Sequence, residues 1–250
     1  MKVQLIRHAT LIISLNSKRI LVDPMLSETN SMAPIPNVPN QNYNPLVDLP
    51  IAVSNIINCD AVLLTHIHRD HFDDAATKLL PKNIPMFCQP EDETNLLSYG
   101  FTYVHPIHDS YTWNNITFNR TGGKHGHGFI AKKMAPVSGF IISCPEEPSV
   151  YIAGDTIWCK EVEKSIEKYN PHIIICNCGA AQFRFGRPIT MTSKDLYKLR
   201  YKFEKIKIVA VHMEAWNHCR LSRKDLKIYL ASENIEANVF VPKDGEILNF

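Results

Sequence analysis

Apolar residues along this chain fall into short runs separated by polar turns, and the first runs are too brief and too β-branched for helices. Val3 to Ile6, Thr10 to Leu15 and Arg19 to Val22 read as strands. Asn16-Ser17-Lys18 supplies a hairpin-like turn between the second and third, and Asp23-Pro24 ends the third. From residue 61 onward, strand-like and helix-like segments alternate. Ala61 to Leu64, Pro85 to Cys88, Ile116 to Thr121, Gly139 to Ser143, Val150 to Ala153, Ile173 to Cys176, Ile206 to Val211 and Val239 read as strands. Helices are expected from an Asp73 cap through Leu80, and over Glu91 to Tyr99, Ile157 to Tyr169, Ser193 to Phe203 and Ser222 to Ala231. Strands early and alternation late imply an α/β domain of sheets covered by helices.

One segment breaks this pattern. Pro34, Pro36, Pro39, Pro45 and Pro50 punctuate an Asn-rich stretch with little periodicity. Repeated prolines remove both ladders and helices, and long loops in compact domains are uncommon unless they function. This loop is expected to supply part of a substrate pocket.

Chemistry concentrates at the end of the strand Ala61 to Leu64, in Thr65-His66-Ile67-His68-Arg69-Asp70-His71. Side chains two apart on an extended chain point the same way, so His66 and His68 can grip one ion. Asp70 and His71, after a change of chain direction, can reach a second ion. Imidazole and carboxylate without thiolate suit zinc, manganese or iron, and argue against a closed structural zinc site. Other strand ends carry similar groups. Asp155 follows Tyr151 to Gly154, His212 follows Ile208 to Val211, and His125 and His127 sit in the glycine-rich run Gly122 to Gly128.

Composition narrows the alternatives. The chain has 250 residues, 45% of them hydrophobic, enough for one sizeable domain, and a formal net charge of +2. That balance gives no sign of extended nucleic-acid binding through phosphate neutralisation. No stretch approaches the roughly 18 apolar residues of a membrane span. Polar residues interrupt the start of the chain before any secretory core could form, and the seven cysteines show no CxxC spacing. A cytoplasmic protein with reduced thiols is expected, acting on a small molecule, with no membrane or nucleic-acid partner; a homo-oligomer is compatible with all of this.

The assembled pattern resembles the metallo-β-lactamase superfamily, whose signature is HxHxDH followed by a His, an Asp and a final His on loops after strands. His8-Ala9-Thr10, Asp23-Pro24, His66 to His71, Gly123-Lys124-His125-Gly126, Gly154-Asp155-Thr156 and Val211-His212 occur in that order. Among its branches the chain is most similar to the hydrolases related to ascorbate-6-phosphate lactonase. The resemblance implies a four-layer αββα sandwich spanning residues 1–250 as one domain. It also implies two divalent metal ions, with zinc first and manganese or iron as alternatives. His66, His68 and His125 would hold the first ion, Asp70, His71 and His212 the second, and Asp155 both. A hydroxide shared by the metals would cleave an ester-like bond, a lactone by preference, and Asp70 would orient it or protonate the leaving group. A phosphodiesterase on the same centre and a non-catalytic metal-binding protein are the alternatives. His8, Asp23, His127 and His218 are candidates for substrate contacts or for support of the ligands, with His127 competing with His125 for the third-histidine position.

Overall fold

The alternation resolves into two seven-stranded sheets with helices outside each. A computed structural model describes residues 1–134 and 136–250. In chain order the elements are β1 (Lys2–Arg7), β2 (Thr10–Leu15), β3 (Lys18–Val22), α1 (Val53–Ile57), β4 (Ala61–Leu63), α2 (Asp74–Leu79), β5 (Met86–Cys88) and α3 (Glu93–Ser98). There follow β6 (Val104–Pro106), β7 (Ser110–Trp113), β8 (Ile116–Gly122), α4 (Gly128–Met134), β9 (Ser138–Ser143), β10 (Val150–Ile152) and α5 (Lys160–Tyr169). The chain ends with β11 (Ile173–Asn177), α6 (Ser193–Lys202), β12 (Lys207–Val211), α7 (Arg223–Ser232), β13 (Val239–Phe240) and β14 (Ile247–Asn249). The first sheet runs β14-β1-β2-β3-β4-β5-β6 and the second β13-β12-β11-β10-β9-β8-β7.

The apolar runs are continuous because most strands are covered on both faces. In β2, Leu11 and Ile13 enter the layer between the sheets, where Leu5, Ile20 and Leu63 meet Phe118, Phe140, Ile142 and Val209 of the second sheet. Ile12, on the opposite face, joins Val62, Ala76, Met86 and Leu96 under α2 and α3. On the outer face of the second sheet, Tyr151, Ile174 and Ile208 pack with Val162 of α5, Leu199 of α6 and Leu226 of α7. The result is the αββα sandwich.

Strand direction then sets where the chemistry goes. β1 and β3 each pair antiparallel with β2, so they run the same way, and β4 is parallel to β3. In the second sheet β8 and β10 both pair antiparallel with β9, while β11 and β12 run parallel to β10. The carboxyl ends of these strands therefore gather at one end of each sheet. The two ends are joined directly, the His212 N–H donating to the His8 carbonyl at 2.8 Å and the Ser138 N–H to the Thr65 carbonyl at 3.3 Å.

Two expected helices differ from the sequence reading. The Ile157 helix begins at Lys160, because the Ile157 N–H is taken by the Lys124 carbonyl at 2.9 Å, which ties the chain after Asp155 to the loop after β8. The Glu91 helix is split into a short 3₁₀ turn, Pro90–Asp92, and α3. The Asp73 cap is present, its carboxylate accepting from the Ala76 N–H at 2.8 Å. Among the described residues no helix is long and apolar enough to cross a membrane.

Phe118 is fully buried between the sheets, its ring 4.7 Å from that of Phe87. Phe118→Ala should cost about 3–5 kcal/mol of stability, measurable as a lower midpoint in urea unfolding. A shift of less than 1 kcal/mol would mean that the two sheets do not share this core.

Candidate metal centre

Six strand ends deliver the cluster: His8 follows β1, Asp23 β3, the His66 to His71 run β4, His125 β8, Asp155 β10 and His212 β12. Local backbone makes the delivery possible. Gly154, at φ +67°, carries no Cβ where one would lie 2.6 Å from the Ser138 carbonyl, so the chain can turn tightly into Asp155. Gly179 has a similar task, since a Cβ there would meet the His212 carbonyl at 2.1 Å.

The side chains form two adjoining donor groups. His66, His68 and His125 make one, with His66 Nε2 and His68 Nδ1 2.9 Å apart. His71, His212 and Asp70 make the other, with His8 close beside them; Asp70 Oδ2 lies 3.6 Å from His212 Nε2 and 3.3 Å from His8 Nε2. Asp155 stands between them. Its Oδ1 is 3.3 Å from both His71 Nε2 and His212 Nε2, and its Oδ2 is 3.3 Å from His125 Nε2. Donors held about 2.0–2.2 Å from one ion lie roughly 3–4 Å from each other, the spacing found here.

A second ring of contacts fixes these side chains. Asp23 is the hub, its Oδ2 accepting from His71 Nδ1 at 2.8 Å and from the Thr65 hydroxyl at 2.7 Å, its Oδ1 from the Thr65 N–H at 2.8 Å. The Thr65 hydroxyl in turn lies 3.1 Å from His66 Nδ1, so one carboxylate orients a histidine in each donor group. His125 Nδ1 donates to the Ile189 carbonyl at 3.0 Å, Asn177 Nδ2 donates to Asp155 Oδ1 at 2.7 Å, and His212 Nδ1 contacts Cys219 Sγ at 3.6 Å. Carboxylates and carbonyls in this role fix the tautomer and raise the basicity of the nitrogen facing the site.

The charge balance calls for cations. Asp23, Asp70 and Asp155 are all buried, and among the described residues only histidines pair with them. Burial alone would push the Asp155 carboxyl up, yet His212, His71 and His125 around it hold it well below the usual carboxylate range. Burial likewise works against a proton on His71, but Asp155, Asp23 and Asp70 overcome it and push the pKa up to about 10. A pocket that draws a proton so strongly draws a metal ion for the same electrostatic reason. His71 Nε2, His212 Nε2 and Asp155 Oδ2 are buried without a hydrogen-bond partner among the described residues, as atoms that would face a metal should be. The residues present fit a metal.

All seven side chains expected as ligands meet in this cluster, and Asp23 lies behind them. His8 is fully buried inside it. His218, only 5% exposed, sits 3.8 Å from Asp70 Oδ2. His127 does not join; it is half-buried in a groove with Lys132, Trp158 and Arg187, whereas His125 is 2% exposed. The sequence reading passed over Thr65, Asn177 and Cys219 as functional residues. Asn177 ends β11 as Asp155 and His212 follow their strands, and that repetition was the available signal.

The proline-rich loop is anchored beside the last histidine by Asn217. Its Oδ1 accepts from Asn44 Nδ2 at 3.0 Å and the Ile35 N–H at 3.1 Å, and its Nδ2 donates to the Asn40 carbonyl at 2.7 Å.

A sequence profile of the "Beta-lactamase superfamily domain" matches residues 18–213. The chain belongs to the beta-lactamase superfamily. It is 39% identical to UPF0173 protein YddR of Bacillus subtilis (strain 168), over 100% of both chains. Among solved structures, a possible metal-dependent hydrolase from Veillonella parvula DSM 2008 superimposes with a TM-score of 0.97 at 36% identity, covering 100% of this chain and 99% of that one. The isothiocyanate hydrolase from Delia radicum gut bacteria superimposes with a TM-score of 0.95 at 33% identity, with the same coverage. With the histidine and aspartate cluster in place, the protein is a metal-dependent hydrolase of the metallo-β-lactamase fold.

Substitution separates the roles. His125→Ala should lower the metal retained after dialysis, while His127→Ala should leave it at the wild-type level, both read by elemental analysis. Asp23→Asn, which keeps the shape but loses the charge behind His71, should weaken metal affinity about 10- to 100-fold. Unchanged affinity in a competition titration with a chelator would show that Asp23 does not support the ligands.

Proposed function

We propose that this enzyme hydrolyses a small, uncharged molecule at an electrophilic carbon, using two divalent cations held by the two donor groups. The observation that carries this reading is the cavity above them, about 400 Å³ in volume. Ile35, Ile67, Met134, Phe183 and Ile189 give it apolar walls, against which His68, Asp70, His125 and His218 also lie. Arg69 is the one lysine or arginine among the described residues that line it, and its guanidinium rests over the Trp216 ring, 5.9 Å from the centroid.

Such walls suit an organic tail better than a phosphate. None of Lys132, Lys133, Arg184 and Arg187 lines this cavity, so a phosphorylated lactone or a phosphodiester finds little to neutralise it. An isothiocyanate, the substrate named for the gut-bacterial relative, has the required character: an apolar group attached to an electrophilic carbon between nitrogen and sulfur. An uncharged lactone is the second reading, favoured by the early His-Ala-Thr and Asp-Pro elements, which put His8 and Asp23 at the centre itself.

Bound cations of this class lower the pKa of a water and offset negative charge developing on the substrate. Histidine and carboxylate donors accommodate zinc first, with manganese or iron as alternatives. The chain supplies the rest. Asp155 keeps the two donor groups side by side by offering one oxygen to each. Asp23 and Thr65 lock His71 and His66. The apolar walls limit bulk water around the attacked carbon. His218, whose pKa burial pushes down to about 4, stays uncharged at neutral pH and adds a polar contact without adding charge.

The test is a substrate panel on enzyme stripped with a chelator and reloaded with Zn²⁺, Mn²⁺ or Fe²⁺, its metal content counted in parallel. Benzyl isothiocyanate or an uncharged aliphatic lactone should be consumed only by the reloaded enzyme, with two ions per chain. Ile35→Asp or Phe183→Asp should raise KM for that substrate at unchanged metal content. Cleavage of bis(p-nitrophenyl) phosphate alone would overturn the proposal, as would full activity with one ion per chain.

A further inference from the structure

His8 lies close enough to the second donor group to pass for a fourth ligand, and its distance of 3.3 Å to Asp70 Oδ2 suits either coordination or a hydrogen bond. The far nitrogen of the ring separates the two. An imidazole that binds a cation through one nitrogen keeps its proton on the other, and a buried N–H needs an acceptor. Each buried histidine expected as a ligand has a partner there. His66 Nδ1 has the Thr65 hydroxyl, His71 Nδ1 has Asp23, His125 Nδ1 has the Ile189 carbonyl and His212 Nδ1 has Cys219 Sγ. His8 Nδ1 is buried with none among the described residues. Asp70 Oδ2, meanwhile, offers an acceptor 3.3 Å from His8 Nε2. The proton belongs on Nε2.

We propose that His8 is a positioning residue and not a metal ligand: a neutral imidazole with its proton on Nε2, which it donates to Asp70 Oδ2 to hold that carboxylate in the second donor group. This rests on the metal centre and not on the choice of substrate. The rest of His8 is built to keep the ring in place. Its backbone lies at φ 57°, a left-handed conformation uncommon outside glycine, in the turn between β1 and β2. Its carbonyl is held by the His212 N–H at 2.8 Å, and its ring lies on the His212 ring with centroids 3.6 Å apart. His8 and His212 are thus fastened together, one facing Asp70 as a donor and the other as a ligand.

Long-range ¹H–¹⁵N correlation spectra of the zinc-loaded protein decide the assignment directly. His8 should show a protonated Nε2 and a bare, metal-free Nδ1, while His66, His71, His125 and His212 show the proton on Nδ1. In parallel, His8→Ala should keep the wild-type zinc content. Its Co²⁺-substituted form should show a shifted d–d spectrum, which His8→Gln, with an amide N–H to offer Asp70, should move back toward wild type. A proton on Nδ1 with zinc on Nε2 would overturn the proposal, as would loss of one zinc ion from a folded His8→Ala protein or a cobalt spectrum that does not move. If His8→Ala fails to fold, the tautomer of the wild-type ring still settles the question.

Discussion

Three carboxylates buried, among the described residues, without a lysine or arginine to meet them are the constraint around which this molecule is arranged. Asp23, Asp70 and Asp155 sit where the ends of two sheets converge, and among the described residues the only groups near them able to carry positive charge are imidazoles. In an apolar interior such a group of like charges is self-repelling, strongly enough to draw a proton onto His71. A proton or a metal ion must supply the balancing positive charge. Metal binding and folding are therefore coupled in this protein, because the unfolded chain has no such concentration of donors.

That coupling fits donors spread over much of the sequence, from His66 to His212. Parallel strands present their carboxyl ends together only after the sheets have formed, so the centre depends on β4, β8, β10 and β12 all being in register. A shift of one residue in β12 would turn His212 away from the site and bring Met213 into its place. The antiparallel links through β2 and β9 serve the same end, since they set β1 beside β3 in direction and β8 beside β10.

Much of this was legible in the residues. The inner strands announced themselves as apolar runs, and the ligands as polar groups placed directly after those runs. Besides the short helices α1 and α4, two physical kinds of feature were not legible. Edge strands β6, β7 and β14 are short and half-exposed, so they lack a continuous apolar signature, and β6 even contains Pro106. The supporting residues Thr65, Asn177 and Cys219 are ordinary in type, and only three-dimensional contact gives them their tasks. The cavity walls were hidden for a related reason. Ile35 comes from the proline-rich loop, Met134 from the end of α4, and Phe183 and Ile189 from the connection after β11, with no shared periodicity, although the loop around Ile35 could be suspected from its prolines.

The Asn217 clamp has a bearing on how affinity is distributed in this enzyme. One side chain on the loop after His212 holds Ile35 and Asn40 of the proline-rich segment, so a wall of the cavity and a metal donor belong to one mechanical unit. Order in the His212 loop and order in the wall are thereby tied together. Coupling through such an element runs both ways: whatever factor metal binding contributed to the hold on a molecule seated against Ile35, that molecule would return to the metal. The cavity wall and the metal donor share one support, so a change at Asn217 reaches both.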